Sequence, residues 1–282
     1  VSLAPTLFII GTPIGNLSDI SPRVRNAIEL CDLLLVEDTR VTIKLLNHLG
    51  IKKKMLSCHE FNENERLSIL EQARNAKQSI GLISDAGMPA VSDPGSLILA
   101  AAIKLKMRVE VIAGPSAFLL ALIGSGLPMK RFVFEGFLPD KSGDLQRRLE
   151  QLQTEERTLV FYVAPHKLNR TLEQMERILG NRQACVAREL TKIHEEYIRE
   201  DISSLHRRFL QTEARGEIVV VVEGFSQPGQ DLSQEDIERL TKEYLLAGKS
   251  VKDTAHELGR RSAMRKSAIY KLAVEIAQQI ES

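Results

Sequence analysis

The 282-residue sequence contains no tryptophan, and aromatic residues make up only 5% of it. No aromatic platform for stacking nucleobases is evident in such a composition. Cysteine is scarce too. Cys31, Cys58 and Cys185 are far apart and odd in number. They fit neither a disulfide framework nor a zinc cluster, and a reducing cytoplasm is the simplest setting. An excess of either charge is also missing, because the net charge is +1. Affinity for nucleic acid must therefore come from local patches. The N-terminus has no basic n-region and no cleavage site, so secretion is not expected.

A long unbroken apolar run is absent as well. Residues 111–129 carry no charge, but Gly114-Pro115 interrupts them first and Gly124, Gly126 and Pro128 interrupt them again. Only 116–123 can form a continuous helix, far short of the ~20 residues that span a bilayer. No membrane association is expected. Two nucleotide signatures are missing from LFIIGTPIGNL (7–17). The glycines do not have the dinucleotide spacing, and no Lys-Ser/Thr follows them. Pro13 removes an N–H from the middle of the turn, so the loop suits a phosphate poorly. It suits a compact, positively charged ligand better, and S-adenosylmethionine is one.

What is present is an alternation of apolar runs and amphipathic segments. LFII (7–10), LLLV (33–36), IGLI (80–83) and VEVI (109–112) read as strands, the first three buried on both faces. Residues 22–31, 42–50, 63–76 and 95–105 have helical spacing, with Ser21 as a cap before Pro22. Strands separated by helices predict parallel pairing. A second round follows, with strands at 132–137, 158–163, 183–189, 194–200 and 217–224 and helices at 166–180 and 201–214. Its more polar alternation predicts a mixed sheet with one wetter face. The length exceeds what one core usually serves. The reading is an α/β domain over 1–125, a second over 126–225, a linker at 225–234 and a small basic helical tail over 234–282. Between Glu257 and Glu275 that tail has five positive and no acidic residues.

In a parallel sheet flanked by helices, ligands bind beyond the carboxyl ends of the strands. There stand GTPIGN (11–16), EDTR (37–40), SDAGMPAVSDPG (84–95) and AGPSA (113–117). Glycine lets backbone approach a ligand, and proline fixes the path without donating. A carboxylate in the long loop suits ribose hydroxyls or a cation; Asp93 serves equally as a helix cap. In the second half, FYVAPHKL (161–168) and ARELTKIHEE (187–196) gather Tyr162, His166, Arg188, Glu189, Lys192 and His194. His59 and Glu60 form a metal pair only with a third ligand that the sequence does not name, so no metal is expected.

Together GTPIGNL, EDTR, SDAGMPAVSDPG, GPSA, FYVAPHKL, ARELTKIHEE and GEIVVVVEG resemble the tetrapyrrole methylase superfamily, in the branch that methylates small-subunit ribosomal RNA. The resemblance runs from about residue 6 to 225. AGPSA departs from it where relatives often carry a second proline, and RRSAMRKSAIYKL in the tail follows it only loosely. It implies two α/β domains of the tetrapyrrole methylase type, with a cofactor cleft between them and a small helical C-terminal tail. It implies methyl transfer from S-adenosylmethionine to the 2′-hydroxyl of a cytidine in the decoding region of 16S rRNA, by a cytoplasmic homodimer. The cofactor is then expected against Thr12, Pro13, Ile14, Asp85, Gly87, Pro89, Ser116, Ala117, Tyr162, Arg188 and Ile218. Such a transfer needs in-line alignment and a general base. The candidate bases are Asp38 and Glu189, with Arg40, Arg188 and Lys192 on phosphates. RNA-facing patches are expected at Lys52-Lys53-Lys54, Lys130-Arg131, Arg147-Arg148, Arg207-Arg208 and the tail. A tetrapyrrole methyltransferase acting on a small molecule is the rival reading.

Overall fold

A computed structural model describes residues 4–59, 62–212, 214–226, 234–262, 264 and 266–281. Most of the expected linker, Glu60 of the proposed metal pair and Arg265 of the basic tail lie outside the described residues, as do the side chains of Arg260 and Arg261. Residues up to 224 form one compact unit, and those from 225 form another.

The first unit contains two five-stranded sheets. Sheet one comprises β1 (Thr6–Ile10), β2 (Leu33–Val36), β3 (Met55–Ser57), β4 (Ile80–Ile83) and β5 (Arg108–Ile112). Their order is β3-β2-β4-β1-β5, and every pairing is parallel. The four expected strands are all present. β3 completes the sheet just before residue 58; its three half-buried residues are too few to show as an apolar run.

Helices α1 (Pro22–Leu30) and α2 (Thr39–Leu49) cover one face of this sheet, and α3 (Glu63–Asn75) and α4 (Ser96–Lys104) cover the other. Ile28 and Leu46 pack with Ile10 and Leu34, while Leu70 and Ile98 pack with Leu7 and Ile80. Each such aliphatic side chain gains about 1.5–3 kcal/mol by leaving water. Ser21 caps α1 by accepting from the Val24 N–H at 3.2 Å.

Sheet two comprises β6 (Phe132–Phe137), β7 (Thr158–Val163), β8 (Gln183–Arg188), β9 (Glu196–Asp201) and β10 (Ile218–Val222). The order is β6-β7-β10-β8-β9, with β6 and β7 parallel and the other pairs antiparallel. The mixed sheet is as expected. The parallel pair requires a crossover, supplied by α6 (Ser142–Gln151), which the sequence reading did not include. That helix, α7 (Leu168–Leu179) and α8 (Ile202–Gln211) cover one face. Asp201 caps α8, accepting from the Ser204 N–H at 2.9 Å.

The expected wetter face is a correction. α5 (Ala117–Ser125) lies on it, and Ala121 and Leu122 pack with Val160, Cys185, Val219 and Val221. The polar residues that suggested a wet face sit at strand ends and on the edge strand β9.

The second unit holds α9 (Gln234–Leu246), α10 (Val251–Arg261) and α11 (Lys266–Glu281) around Ile237, Ala255, Leu258 and Ile269. Among the described residues no helix is long and apolar enough to cross a membrane. The three cysteines are free and buried, and burial pushes their thiols up to about 12 for Cys31 and about 11 for Cys58 and Cys185. They are correspondingly unreactive.

Candidate active site

The loops at the carboxyl ends of sheet one meet as their strand order requires. Thr12 and Gly87 form an antiparallel bridge: the Thr12 N–H donates to the Gly87 carbonyl at 2.8 Å and the Gly87 N–H donates back at 3.1 Å. A Cβ on Gly11 would lie 2.5 Å from Met88 Sδ and 2.6 Å from Gly114 N, so only glycine permits this approach. The Asp38 N–H donates to Asp85 Oδ1 at 3.0 Å, and the Asp85 N–H donates to Glu37 Oε2 at 3.1 Å. GTPIGN, EDTR, the long loop and AGPSA are thus one assembly.

The long loop is held in strained form. Ala90 and Ser92 have φ of 66° and 64°, in the left-handed region that non-glycine residues avoid. Its exit into α4 is fastened from a distance. Glu63 is buried, and its Oε1 accepts from the N–H groups of Leu97 at 2.7 Å and Ile98 at 3.0 Å. This settles the open role of Asp93: Gly95 occupies the cap position and has no side chain to bond, and Glu63 satisfies the helix start. Asp93 instead lines a cavity.

That cavity has a volume of about 320 Å³ and separates the loops of sheet one from the ends of β7 and β10. Of the residues expected there, Ile14, Gly87, Ser116, Ala117, Tyr162 and Ile218 line it. A second cavity of about 250 Å³ adjoins it, sharing Ile14, Ala86 and Glu217, and is lined also by Thr12, Pro13, Asp85 and Lys192. Pro89 is buried and lines neither cavity. Arg188 lines neither; it ends β8 opposite Ile218, and its Nε donates to Glu196 Oε2 at 2.6 Å.

The first cavity is mostly apolar with two carboxylates, Asp93 and Glu217, in its lining. Asp93 is pushed up to about 6, first by burial and then by the neighbouring Glu37 and Asp85. Asp85 is raised for the same reasons: burial, then Glu37. Tyr162 packs edge-on to Phe134 at 5.1 Å and near Phe137 at 5.4 Å, and burial raises its hydroxyl. Phe137, 61% exposed, stands at the cavity wall. Asp93, Glu217, Phe137 and Pro165 were not among the expected cofactor residues. Proximity to quoted motifs is the signal that could have found all but Phe137.

Two charged groups carry the remaining candidates. Asp38 caps α2: its Oδ1 accepts from the Arg40 N–H at 2.7 Å, and its Oδ2 accepts from Arg40 Nη2 at 2.6 Å. The Arg40 hydrogen bonds hold its carboxyl down at about 2. Glu189 Oε1 accepts from Lys192 Nζ at 3.0 Å and from the Glu217 N–H at 3.1 Å. The Lys192 bond lowers the Glu189 carboxyl. Burial pulls the Lys192 ammonium down, but Glu189 and Glu217 more than offset that and it ends raised. Gly15 makes room for this lysine, since a Cβ there would sit 2.5 Å from Lys192 Cγ.

Several expected RNA-facing cations hold partners within the chain. Lys53 Nζ donates to the Glu29 and Cys31 carbonyls at the end of α1, Arg148 pairs with Glu135, and Arg208 pairs with Glu200. Lys52, Lys54, Lys130 and Arg131 are exposed.

A family model described as Tetrapyrrole (Corrin/Porphyrin) Methylases matches residues 6–206. The chain is 37% identical to a ribosomal RNA small subunit methyltransferase I of Synechocystis sp. over 96% of its own length and 98% of that protein. It is 39% identical to the protein of the same name from Pseudomonas aeruginosa, over 96% and 98%. With that of Thermotoga maritima it shares 40% identity over 77% of this chain and 98% of the relative. Among solved structures, diphthine synthase is similar with a TM-score of 0.59 at 16% identity, over 77% of this chain and 90% of that one. Uroporphyrin-III-C-methyltransferase from Thermus thermophilus gives 0.56 at 16%, over 77% and 94%. At that identity the structures share the fold.

Proposed function

The chain belongs to the tetrapyrrole (corrin/porphyrin) methylase family and, within it, to the ribosomal RNA small subunit methyltransferase I group; from that premise we propose that it transfers a methyl group from S-adenosylmethionine to small-subunit ribosomal RNA. In the finer reading, the acceptor is the 2′-hydroxyl of a cytidine in the decoding region of 16S rRNA. The observation that carries the proposal is the match to relatives of that name along nearly the whole length of both chains.

The cavity residues fit the donor. A volume of about 320 Å³ falls within the ~300–1,000 Å³ of small-ligand sites. Its apolar wall suits an adenine ring, and Asp93 and Glu217 complement a sulfonium and an ammonium. When bound, S-adenosylmethionine supplies an electrophilic methyl carbon. Thr12 and Gly87, locked to each other, hold the loops that would grip it. Tyr162 and Ile218 close the opposite side and exclude water.

We assign the acceptor to the second cavity, where Lys192 can hold a phosphate and Pro13 and Asp85 form the boundary with the donor. Glu189, which positions Lys192, is the favoured proton acceptor for the ribose hydroxyl. Glu189 is bonded through Oε1, whereas both oxygens of Asp38 engage Arg40 and its carboxyl also caps α2, which makes Asp38 the weaker candidate. In this reading residues 1–125 carry the RNA-facing loops, 126–225 complete the cleft and 234–282 form a basic helical tail. The protein acts in the cytoplasm as a homodimer. Exposed Val111 on β5 and Leu119 and Ile123 on α5 are the apolar side chains that this reading offers to a second copy.

The test is methyl transfer from isotopically labelled donor to purified small subunits, run beside uroporphyrinogen III. Label in RNA alone is the expected result. Label in the macrocycle alone would move the protein to the small-molecule reading.

A further inference from the structure

The loop between β8 and β9 presents one side chain with no packing of its own. Ile193 is 96% exposed. Among the described residues the next most exposed large apolar side chains, Leu210 and Leu246, reach 63% and belong to helix surfaces. An isoleucine held out in water at a loop tip is unusual, and here the loop is built to hold it.

The backbone around it is pinned from several directions. The Glu189 N–H donates to the Glu217 carbonyl at 3.1 Å, the Lys192 N–H to the Glu189 carbonyl at 3.0 Å and the Glu195 N–H to the Lys192 carbonyl at 3.1 Å. The Thr191 N–H donates to Glu195 Oε2 at 2.7 Å. Glu189 and Thr191 adopt φ of 50° and 66°, a conformation that costs free energy at non-glycine residues. A loop that merely connects two strands needs neither the strain nor the bonds. The adjoining Lys192 is half-buried and lines the second cavity with Pro13 and Asp85. Ile193, the next residue along the chain from this cavity-lining lysine, stands in solvent.

A 2′-hydroxyl inside structured RNA cannot reach a methyl carbon in a cleft while its nucleotide stays stacked. Such enzymes act on extruded nucleotides. An aliphatic side chain inserted where the base was can hold the stack open. We propose that Ile193 is that wedge: it enters the gap left by the acceptor nucleotide as the ribose moves into the cavity lined by Lys192. This rests on the assignment of RNA as substrate. The rigid loop makes the insertion cheap, because no backbone ordering is needed when RNA arrives. The step is a displacement of stacking contacts by apolar ones, with no covalent change.

Because Ile193 is solvated, its substitution leaves the fold intact, which a thermal melt of each variant verifies. The experiment compares wild type with Ile193→Ser and Ile193→Met on unmethylated small subunits, with S-adenosylhomocysteine for binding and S-adenosylmethionine for single-turnover rates. Base accessibility of the acceptor nucleotide is probed chemically in the bound complex. The expected result is a tenfold or greater drop in single-turnover rate for the serine variant, with subunit and donor affinities near wild type. The acceptor base becomes reactive with wild type and stays protected with Ile193→Ser, and the methionine variant restores both readouts. A serine variant with full rate, or one whose loss follows weaker subunit binding or a change in oligomeric state, overturns the wedge. If wild type itself transfers no methyl group to RNA, it is the assigned substrate that fails, and this outcome is distinguishable from the others.

Discussion

Gly11 and Gly114 meet backbone to backbone, so closely that a Cβ on Gly114 would lie 2.6 Å from the Cα of Gly11. This contact fastens the loop after β1 to the loop after β5, whose neighbours Ile14, Ser116 and Ala117 line the first cavity. Gly114→Ala must push one loop away from the other. The expected cost is about 1–3 kcal/mol of stability, as for an overpacked core. Donor affinity should fall with it. Chemical denaturation and calorimetric titration of S-adenosylmethionine measure the two effects; unchanged affinity would detach the loops from the donor site.

Glu63 ties α3 to the start of α4 through two hydrogen bonds from backbone donors. Glu63→Ala leaves both donors buried or half-buried without their acceptor. A loss of about 1–3 kcal/mol per orphaned group is the usual scale. Glu63→Gln retains an acceptor oxygen and should lose less. Equal unfolding midpoints for the two variants would remove the capping role.

Asp93 predicts a pH dependence. Its folded value is raised from the ordinary 3.8 to about 6. The folded state then holds a proton that the unfolded state has released. Stability therefore falls as pH rises from about 4 to about 6 and levels off above. Asp93→Asn removes this penalty, so its melting temperature should exceed wild type at pH 7.5 and approach it at pH 4. Donor binding should run the other way: it needs the ionised carboxylate and weakens as pH falls below about 6. A donor affinity independent of pH from 5 to 8 would contradict the contact.

Glu189 and Lys192 predict a split between binding and rate. Glu189→Gln should reduce the single-turnover rate by about 10²-fold or more, the usual scale for removing a general base, without altering donor affinity. Lys192→Ala should weaken RNA binding and flatten its salt dependence, since a phosphate contact is lost. Asp38→Asn should act mainly on stability, because Asp38 caps α2. A large rate loss in Asp38→Asn with full activity in Glu189→Gln would reverse the assignment.

β1, β2 and β4 were legible because they are buried on both faces and therefore nearly continuous in apolar residues. Their shared carboxyl edge made the loop cluster legible too, and GTPIGN, the long loop and AGPSA do meet. The bounds of β3 were not legible, because three half-buried residues carry no periodicity. The polar alternation of β8 and β9 misled about the face that α5 covers. Asp38 followed by Thr39 had the form of a helix cap, a signal readable in advance. Glu63 acting across 34 residues had none, because a cap supplied by another helix leaves no local pattern. Phe137 lines the cavity through the bulge between Phe134 and Gly136, which shifts the register of β6 on β7.

The central claim is that the cleft delivers a methyl group from its donor to one sugar oxygen of small-subunit RNA. The most direct measurement is nucleoside mass spectrometry of 16S rRNA from subunits incubated with the protein and donor. One new 2′-O-methylcytidine in the decoding region is predicted. RNA that gains no methyl group, or gains one on a base rather than a ribose, would contradict it.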